Sequence, residues 1–286
     1  MKNKVKVVLI AGLTNGQLVY DYFKKNKFVD LCLTITYKDE FVEKPRHVIF
    51  NNDEKIIKTD FANNHITEIK SLNPDFIFVV GWSELLNLEL INIPSKGTIG
   101  FHPSILPMDR GRSVIAWQIE EDYKLSGVTM FYYSEIADAG DIIAIERYKI
   151  EQTDYVEHVL NKCDSAIYSL IRAYFPLLRK GFQLRKKQML NDGNFRRLRT
   201  DYDSVINWEL TSREIYNKIR AISKPYPGAF FIENDRKIKV WSSIILDDFG
   251  FGKELAPGSK VCELFDKSLI YKTRDGFLRI TSWEIV

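Results

Sequence analysis

Cysteine and histidine are both scarce in this chain, and their scarcity narrows the chemistry it can perform. Among 286 residues there are three cysteines and four histidines. The cysteines, Cys32, Cys163 and Cys262, form no CxxC pair and share no Cys/His cluster with the spacing of a zinc site. We therefore expect buried thiols in a reducing compartment and no bound metal.

Strong net charge and long apolar runs are also missing. The 41 Lys and Arg residues exceed the 38 Asp and Glu residues by three, a formal net charge of +3. This bias is too weak to indicate a nucleic-acid partner by itself. No stretch approaches the roughly 18 uninterrupted apolar residues of a membrane span, and the short apolar run at the N-terminus lacks a small-residue cleavage site. The prediction is a soluble cytoplasmic protein with no membrane partner, and the charge gives no support for a nucleic-acid partner.

The composition is that of a folded globular protein, with 45% hydrophobic and 28% charged residues. Its length favours one large or two unequal domains. In the first half, segments of helical periodicity, including residues 66–72 and 85–90, alternate with apolar strand-like runs. Those runs lie at residues 5–9, 31–36, 76–80 and 98–101. The alternation predicts a parallel sheet wound by right-handed crossovers, with its ligand at the carboxyl ends of the strands.

The second half of the chain changes character. Apolar side chains that recur on one side predict a long helix over residues 155–180. A charged segment, residues 184–203, interrupts both periodicities and is predicted to be a linker. Beyond it, short apolar runs separated by turn signals suggest a small antiparallel barrel. We predict two domains, residues 1–203 and 204–286.

His102 is the histidine whose position favours chemistry. It ends the apolar run at residues 98–101 and opens the sequence His-Pro-Ser-Ile-Leu-Pro, in which two prolines stiffen a loop at the predicted carboxyl edge of the sheet. From position alone, a structural histidine and a general base are about equally well supported.

Several motifs in a fixed order shift this balance. The chain reads GFHPSILPMDRGRSVIAWQI from Gly100, then SGVTMFYY, then ADAGDII. This resembles the 10-formyltetrahydrofolate-dependent formyltransferases, with their HxSLLP loop, the RG that follows, the TGVT strand and the DxGDI turn. The segments DYDSVINW, IYNKIRAISKPYPGAF and KIKVWSS look like the later part of the amino-sugar branch of that family. The resemblance implies an α/β fold: a Rossmann-like, mostly parallel sheet domain followed by a small C-terminal β-barrel of OB-like type.

The resemblance also implies the reaction and its catalytic pair. A formyl group passes from the co-substrate 10-formyltetrahydrofolate to the amine of a nucleotide-linked deoxyamino sugar, as in bacterial surface-glycan biosynthesis such as that of lipopolysaccharide. His102 is implied to take a proton from the attacking amine and return one to the leaving nitrogen, because an imidazole can gain and lose a proton near neutral pH. Asp138 is implied to orient the imidazole and keep its tautomer. On composition alone, the segment around Asp138 is better interpreted as a turn, because Asp and Gly dominate turns.

Binding residues for the folate are implied next to a strand end. The segment after residue 80 follows a buried run and begins a helix, where backbone N–H and C=O groups can match a flat heterocycle. The hydrophobic members of this segment serve equally well as core residues. The predicted folate-binding residues are Gly81, Trp82, Ser83, Leu85, Leu86, Ile136 and Ala137.

Basic and aromatic residues are candidates for the nucleotide sugar. Arg110 and Arg112 lie close to His102 in sequence, and the planar guanidinium fork suits phosphate. Arg199 belongs to a second basic cluster, which is also typical of a solvated face. Tyr226, in the sequence Lys224-Pro-Tyr-Pro-Gly, could stack on a base or pack the turn, and Lys224 is a further candidate for substrate binding.

Gly100 departs from the pattern of the family. The family carries Asn two positions before the histidine, where that Asn is taken to hydrogen-bond the formyl oxygen as it becomes an oxyanion. Losing such a donor costs roughly 100- to 1000-fold in rate. A backbone N–H, a bound water or protonated His102 could supply the donor instead, and the sequence does not choose among them.

Two rival functions remain open at this stage. Methionyl-tRNA formyltransferase shares the fold and the His/Asp pair, but RNA requires a broad basic surface. The net charge of only +3 and the acidic residues in the loop at 36–48 disfavour it. A non-catalytic folate-binding module is motivated by Gly100. The sequence specifies neither the sugar, the nucleotide, the amine position nor the oligomeric state, although a homodimer is the commonest homo-oligomer.

Overall fold

The structure is a computed structural model that describes residues 4–40, 46–50 and 55–286. Residues 41–45, part of the early loop invoked above against RNA binding, lie outside the described residues. Two compact units are present. The first takes in residues up to Gly111, with Ser126–Tyr148 and Lys162–Phe195, and the second takes in Arg112–Leu125, Lys149–Asn161 and Arg196–Val286. The single division at residue 203 stays a prediction.

The described residues contain fourteen strands and six α-helices. The strands are β1 (Val5–Ala11), β2 (Val29–Thr36), β3 (Ile56–Lys58), β4 (Phe76–Val80), β5 (Thr98–His102), β6 (Arg110–Gly111), β7 (Leu125–Tyr132), β8 (Ile142–Lys149), β9 (Phe195–Arg196), β10 (Ala229–Glu233), β11 (Arg236–Leu246), β12 (Lys260–Glu263), β13 (Leu269–Lys272) and β14 (Phe277–Ile285). The helices are α1 (Thr14–Lys25), α2 (Ile66–Leu72), α3 (Leu88–Ile91), α4 (Val114–Glu120), α5 (Val156–Arg179) and α6 (Ser212–Ile222).

A mostly parallel sheet forms the first unit. Its strand order is β3-β2-β1-β4-β5-β7-β8. The pairings from β3 to β5 are parallel, and β7 joins β5 in the antiparallel sense. The predicted Rossmann-like architecture is therefore confirmed.

Both faces of this sheet are covered, which explains why its central strands are continuous apolar runs. On one face, the ring of Phe175 packs edge-on against those of Phe23, Phe76 and Phe78, and Phe23 also meets Phe78, with ring centroids 5.0 to 6.3 Å apart. On the other face, Ile69 and Leu90 belong to a buried cluster with side chains of β1, β2 and β4. Because the sheet is buried on both faces, the ends of its strands are held in place. The loops that carry the candidate site follow these strand ends.

The helix predicted over residues 85–90 begins later than expected, at Leu88 in α3. Asn87 caps it, because its side chain accepts a hydrogen bond from the backbone N–H of Leu90 at 2.9 Å. Glu84, which precedes this helix, hydrogen-bonds to a different segment. Its carboxylate accepts from the backbone N–H of Ala62 at 2.6 Å and from the side-chain amide of Asn63 at 2.6 Å. Residues 81–87 are consequently an irregular loop that leaves the end of β4.

The second unit is rich in antiparallel strands. Five of them pair in the order β10-β11-β14-β13-β12. Trp208 stacks on Tyr271 at 4.8 Å, and Phe231 meets both rings edge-on. A capping box of Thr211 and Glu214 starts α6. The predicted small, β-rich C-terminal domain of OB-like type is confirmed. Among the described helices, none combines the length and apolar character needed to cross a bilayer.

Candidate active site

His102 lies at the carboxyl end of β5 and is buried. Its Nε2 is 2.7 Å from the backbone carbonyl oxygen of Asp109. A carbonyl oxygen only accepts, so Nε2 carries the hydrogen and donates it. The other ring nitrogen, Nδ1, faces Oδ1 of Asp138 at 3.5 Å. The neutral imidazole therefore has its free lone pair on Nδ1, beside the carboxylate.

This arrangement corrects one role that the resemblance implied. The carbonyl of Asp109, and not Asp138, sets the tautomer of His102. Asp138 is instead placed to stabilise a proton once Nδ1 has taken it up, because the carboxylate then faces an imidazolium. Its proximity to His102 nevertheless agrees with the motif spacing, which pointed to these two residues as a pair.

The loop that carries Asp109 is held from several sides. The backbone N–H of Asp109 donates to the side-chain oxygen of Asn194 at 2.6 Å, and the amide of Asn194 donates to the Asp109 carboxylate at 2.9 Å. Thr129 on β7 accepts from the N–H of Leu106 at 3.1 Å and donates to the carbonyl of Ser104 at 2.7 Å. The carbonyl that orients His102 is thus built into a rigid loop.

Asp138 is fixed through its own backbone and carboxylate. Its Oδ2 accepts from the backbone N–H of Gly111 at 2.9 Å, which leaves Oδ1 directed at His102. The side chain of Gln188 donates to the carbonyls of Asp138 and Gly140 at 2.9 and 2.7 Å. The backbone around Asp138 is a turn, as the composition predicted. The composition did not predict that the carboxylate of Asp138 would be directed at His102.

The loop after β4 contains five of the predicted folate-binding residues, and it is supported by a tyrosine that was not predicted, Tyr37. Trp82 stacks on Tyr37 with centroids 4.0 Å apart and an interplanar angle of 10°. The hydroxyl of Tyr37 accepts from the backbone N–H of Ser83 at 2.8 Å. Gly81 turns the chain with a φ of +63°, where a side chain would be strained. The Ser83 amide, predicted to face a heterocycle, is already used by Tyr37.

The remaining predicted folate-binding residues differ in exposure. Leu85 is 78% exposed and Ile136 is 58% exposed, so neither is a core residue. Leu86 packs against the buried cluster under the sheet, as its core interpretation expected. Ala137 is half-buried beside Asp138 in sequence. Two large exposed apolar side chains on the first unit are suited to cover an apolar or heteroaromatic ligand, and their binding role stays a prediction.

Among the predicted phosphate-binding arginines, the structure separates Arg112 and Arg110 from Arg199. Arg112 is exposed, and its guanidinium makes no ion pair or hydrogen bond with another described residue. Arg110 has a buried Nε without a partner among the described residues, and one weak bond at 3.4 Å to the carbonyl of Leu190. Arg199 is already paired with Glu120 at 2.5 Å and lies 4.3 Å from the ring of Trp117. Its charge is thus neutralised within the second unit.

The other two predicted substrate-binding residues lie on the second unit. Lys224 is exposed, with its Nζ 4.8 Å from the ring centroid of Trp241. Tyr226 is half-buried and closes a turn, since its N–H donates to the carbonyl of Ser223 at 2.9 Å. Neither position decides between base stacking and turn packing, so the roles of both residues stay predictions.

Gly100, on β5, has its side-chain position filled by another residue. A Cβ built on Gly100 would lie 2.3 Å from Cε2 of Tyr133, far inside van der Waals contact. Tyr133 follows the end of β7 and stacks on Phe131, with centroids 5.5 Å apart and an interplanar angle of 13°. The sequence offered no signal for this contact, because the two residues meet only through the pairing of β5 with β7.

No group of three or more His, Cys, Asp or Glu side chains that could hold a metal occurs in the part of the chain that the structure describes.

Comparison with known proteins supplies the family context of this geometry. A family model described as formyl transferase matches residues 3–172, and one described as the formyl transferase C-terminal domain matches residues 199–285. HypX from Aquifex aeolicus, solved in complex with tetrahydrofolic acid, matches with a TM-score of 0.71 and 17% identity. That match covers 96% of this chain and 43% of HypX, so this chain spans less than half the length of that protein.

Two further structures match over almost their whole length. An N-formyltransferase from Helicobacter canadensis, solved with folinic acid and dTDP-3-aminofucose, has a TM-score of 0.69 at 19% identity over 96% of this chain and 98% of that chain. Methionyl-tRNA formyltransferase from Clostridium thermocellum has a TM-score of 0.65 at 17% identity over 99% of both chains. At these identities the likeness shows the fold and does not distinguish a sugar acceptor from a tRNA acceptor.

Proposed function

This chain belongs to the formyl transferase family, and we propose that it transfers a formyl group from 10-formyltetrahydrofolate to the amine of a nucleotide-linked deoxyamino sugar. The observation that carries the proposal is the pair of His102 and Asp138, with Nδ1 of the histidine 3.5 Å from the carboxylate. Formyl transfer between two nitrogens needs one group that takes a proton and returns it, and this pair has that capacity.

His102 acts as the base and then as the acid. The neutral amine of the acceptor attacks the formyl carbon, a C–N bond forms, and the carbonyl electron pair moves onto oxygen. Nδ1 takes the proton that the amine must lose, and Asp138 stabilises the resulting imidazolium. When the bond from carbon to the folate nitrogen breaks, the same proton passes to that nitrogen. The products are a formamide and tetrahydrofolate, and His102 returns to its neutral form.

The folate is expected to bind at the loop after β4. Half-buried Trp82, supported from behind by the buried ring of Tyr37, presents aromatic surface there, and exposed Leu85 and Ile136 add apolar area. Such surfaces suit a flat heterocycle and its linked benzoyl group. Similar proteins solved with tetrahydrofolic acid or folinic acid support a folate as the co-substrate.

The nucleotide part of the acceptor is expected to bind through Arg112. Its exposed guanidinium has no partner among the described residues, so it keeps its full capacity to hold two phosphate oxygens. Arg110, Lys224 and Tyr226 are secondary candidates. The Helicobacter canadensis protein with dTDP-3-aminofucose supports a nucleotide sugar as acceptor. Surface-glycan biosynthesis in the bacterial cytoplasm is the setting that we propose for this activity.

The test is a turnover assay with the purified protein. We would supply 10-formyltetrahydrofolate with a panel of dTDP- and UDP-linked amino sugars, and in parallel with charged initiator tRNA. We expect a formylated sugar by mass spectrometry and release of tetrahydrofolate in equal amount. Formylation of the tRNA alone would contradict the sugar acceptor. Folate binding without any formylated product would support the non-catalytic module.

A further inference from the structure

The pairing of β5 with β7 places Tyr133 on the same face of the sheet as His102. Gly100 is opposite Phe131 in this antiparallel pair, and His102 is opposite Thr129. The N–H of Tyr133 continues the pairing by donating to the carbonyl of Thr98 at 2.8 Å. Since alternate residues of a strand share a face, Tyr133, Phe131, Gly100 and His102 are all directed to one side.

Gly100 is the residue that lets the Tyr133 ring occupy its position. Because Cε2 of Tyr133 would be only 2.3 Å from a Cβ at position 100, any side chain there must displace the ring. The ring is also stacked on Phe131, which restrains it further. A tyrosine ring therefore fills the space in which the resembling family carries an asparagine side chain.

The charged and polar groups near the Tyr133 hydroxyl come from two parts of the candidate site. Burial is the main cause that raises the pKa of this hydroxyl above its ordinary value, followed by the nearby carboxylate of Asp138 and the hydroxyl of Tyr37. Asp138 belongs to the candidate catalytic pair, and Tyr37, directly after β2, stacks on Trp82 of the loop after β4. A phenol with a raised pKa keeps its proton at neutral pH. The O–H makes no hydrogen bond with another described residue, so it is available as a donor.

We propose that Tyr133 donates a hydrogen bond to the formyl oxygen as negative charge develops on it. This rests on the proposed function, since formyl transfer is the step that creates the oxyanion. The amine attacks the formyl carbon, the carbonyl electron pair moves to oxygen, and the Tyr133 O–H stabilises that charge without giving up its proton. When the electron pair returns and the bond to the folate nitrogen breaks, the hydrogen bond weakens again. Tyr133 is none of the three donors that the sequence left open.

The first test is Tyr133→Phe, which removes the donor and keeps the ring over Gly100. We expect kcat to fall by about 10²- to 10³-fold, the usual effect of removing one oxyanion donor. KM for both substrates and binding of a folate analogue should change little, because the interaction forms mainly in the transition state. The matched control is Tyr132→Phe, at the neighbouring residue on the opposite face, where the ring packs against Arg185 at 3.6 Å. It should retain wild-type kcat.

The second test exchanges the two side chains. Gly100→Asn alone should lower kcat, because the new side chain collides with the ring. Tyr133→Ala removes both ring and donor, and adding Gly100→Asn to it places an amide donor in the vacated space. We expect the double variant to exceed Tyr133→Ala in kcat by at least about tenfold, a part of what one such donor contributes. A purely structural role for Tyr133 does not predict this rescue.

The outcomes distinguish a failure of the proposed role of Tyr133 from a failure of the proposed formyl transfer. Each variant is assayed with whichever acceptor the wild-type protein formylates, sugar or tRNA, since the oxyanion forms with either. A wild-type protein that formylates its acceptor while Tyr133→Phe keeps its kcat overturns the role of Tyr133 alone. A wild-type protein that formylates no acceptor overturns both proposals.

Discussion

At the scale of single residues, the chemistry depends on which nitrogen of His102 is free. Nε2 is engaged by the Asp109 carbonyl, so proton transfer must use Nδ1, the nitrogen beside Asp138. We expect His102→Asn and Asp138→Asn each to lower kcat by at least about 10²-fold, the contribution of one general base. Thermal unfolding and binding of a folate analogue should stay close to wild type.

His65→Asn provides the control for this pair. His65 also lies beside a carboxylate, that of Glu68 at 3.3 Å, but it ends a short helix that precedes α2 and is not a candidate site residue. Its substitution should leave kcat unchanged. A His102→Asn variant that keeps near wild-type kcat, with its fold intact, would remove the proposed mechanism.

A second residue-scale prediction contrasts two arginines of the second unit. Arg112→Ala should raise KM for the nucleotide sugar more than it lowers kcat, because a phosphate contact remote from the amine contributes uniform binding. Arg199→Ala should instead lower the free energy of unfolding, since it leaves the carboxylate of Glu120 with only Lys218, at 2.7 Å, as its cation. Breaking a fully buried pair costs up to about 3–5 kcal/mol, and the partial exposure of this pair and the remaining lysine both reduce that cost.

Steady-state kinetics and chemical denaturation distinguish the two effects. If Arg112→Ala leaves KM unchanged, the phosphates bind elsewhere. If Arg199→Ala raises KM without loss of stability, then Arg199 contacts the substrate despite its pairing with Glu120.

At the scale of elements, the loop between β5 and β6 is a positioning device for His102. Asn194 closes it through two hydrogen bonds to Asp109, across 85 residues of sequence. Asn194→Ala should let the Asp109 carbonyl move and the imidazole rotate. Small displacements in an active site can cost up to about 10²-fold, and we expect a loss of kcat on the order of 10-fold with little change in KM.

The same change should lower the melting temperature, because the Asp109 carboxylate loses one of its donors. Asn194→Asp serves as a second variant, since it keeps the size of the side chain and loses the amide donor. Wild-type kcat in both variants would show that the loop holds Asp109 without Asn194.

At the scale of the whole molecule, Cys163 reports on global unfolding. Burial is the main cause that raises the pKa of its thiol to about 12, and the neighbouring carboxylate of Asp164 adds to it. The thiolate is the reactive form, so a raised pKa keeps Cys163 protonated and unreactive in the folded protein near neutral pH. Reaction with a thiol reagent should therefore label Cys262 and, more slowly, Cys32, which are both half-buried.

Labelling of Cys163 should follow the same denaturant curve as loss of secondary structure. Mass spectrometry of digested peptides measures each site separately. Rapid labelling of Cys163 under native conditions would contradict the packing of α5 against the sheet.

Helices, strands and motifs that depend on residues adjacent along the chain could be predicted from the sequence. Continuous apolar runs identified β4 within its observed bounds, and helical periodicity did the same for α2. Local patterns suffice here because strands and helices bury their side chains with periods of 2 and 3.6 residues. The fixed order of motifs around His102 and Asp138 likewise pointed to the family before any geometry was known.

The partners of the polar groups depend on the three-dimensional fold. In the fold, the Asp109 carbonyl fixes the tautomer of His102, the Asn194 amide donates a hydrogen bond to the Asp109 carboxylate, and Glu120 forms an ion pair with Arg199. The fold also places Tyr133 in the space that Gly100 leaves open. Hydrogen bonds and ion pairs require donors and acceptors within about 3 to 4 Å, and which residues come that close depends on strand order and loop paths. The pattern of residues along the chain shows the period of burial but not these distances. The candidate site could therefore be located from the sequence, whereas its chemistry depends on the fold.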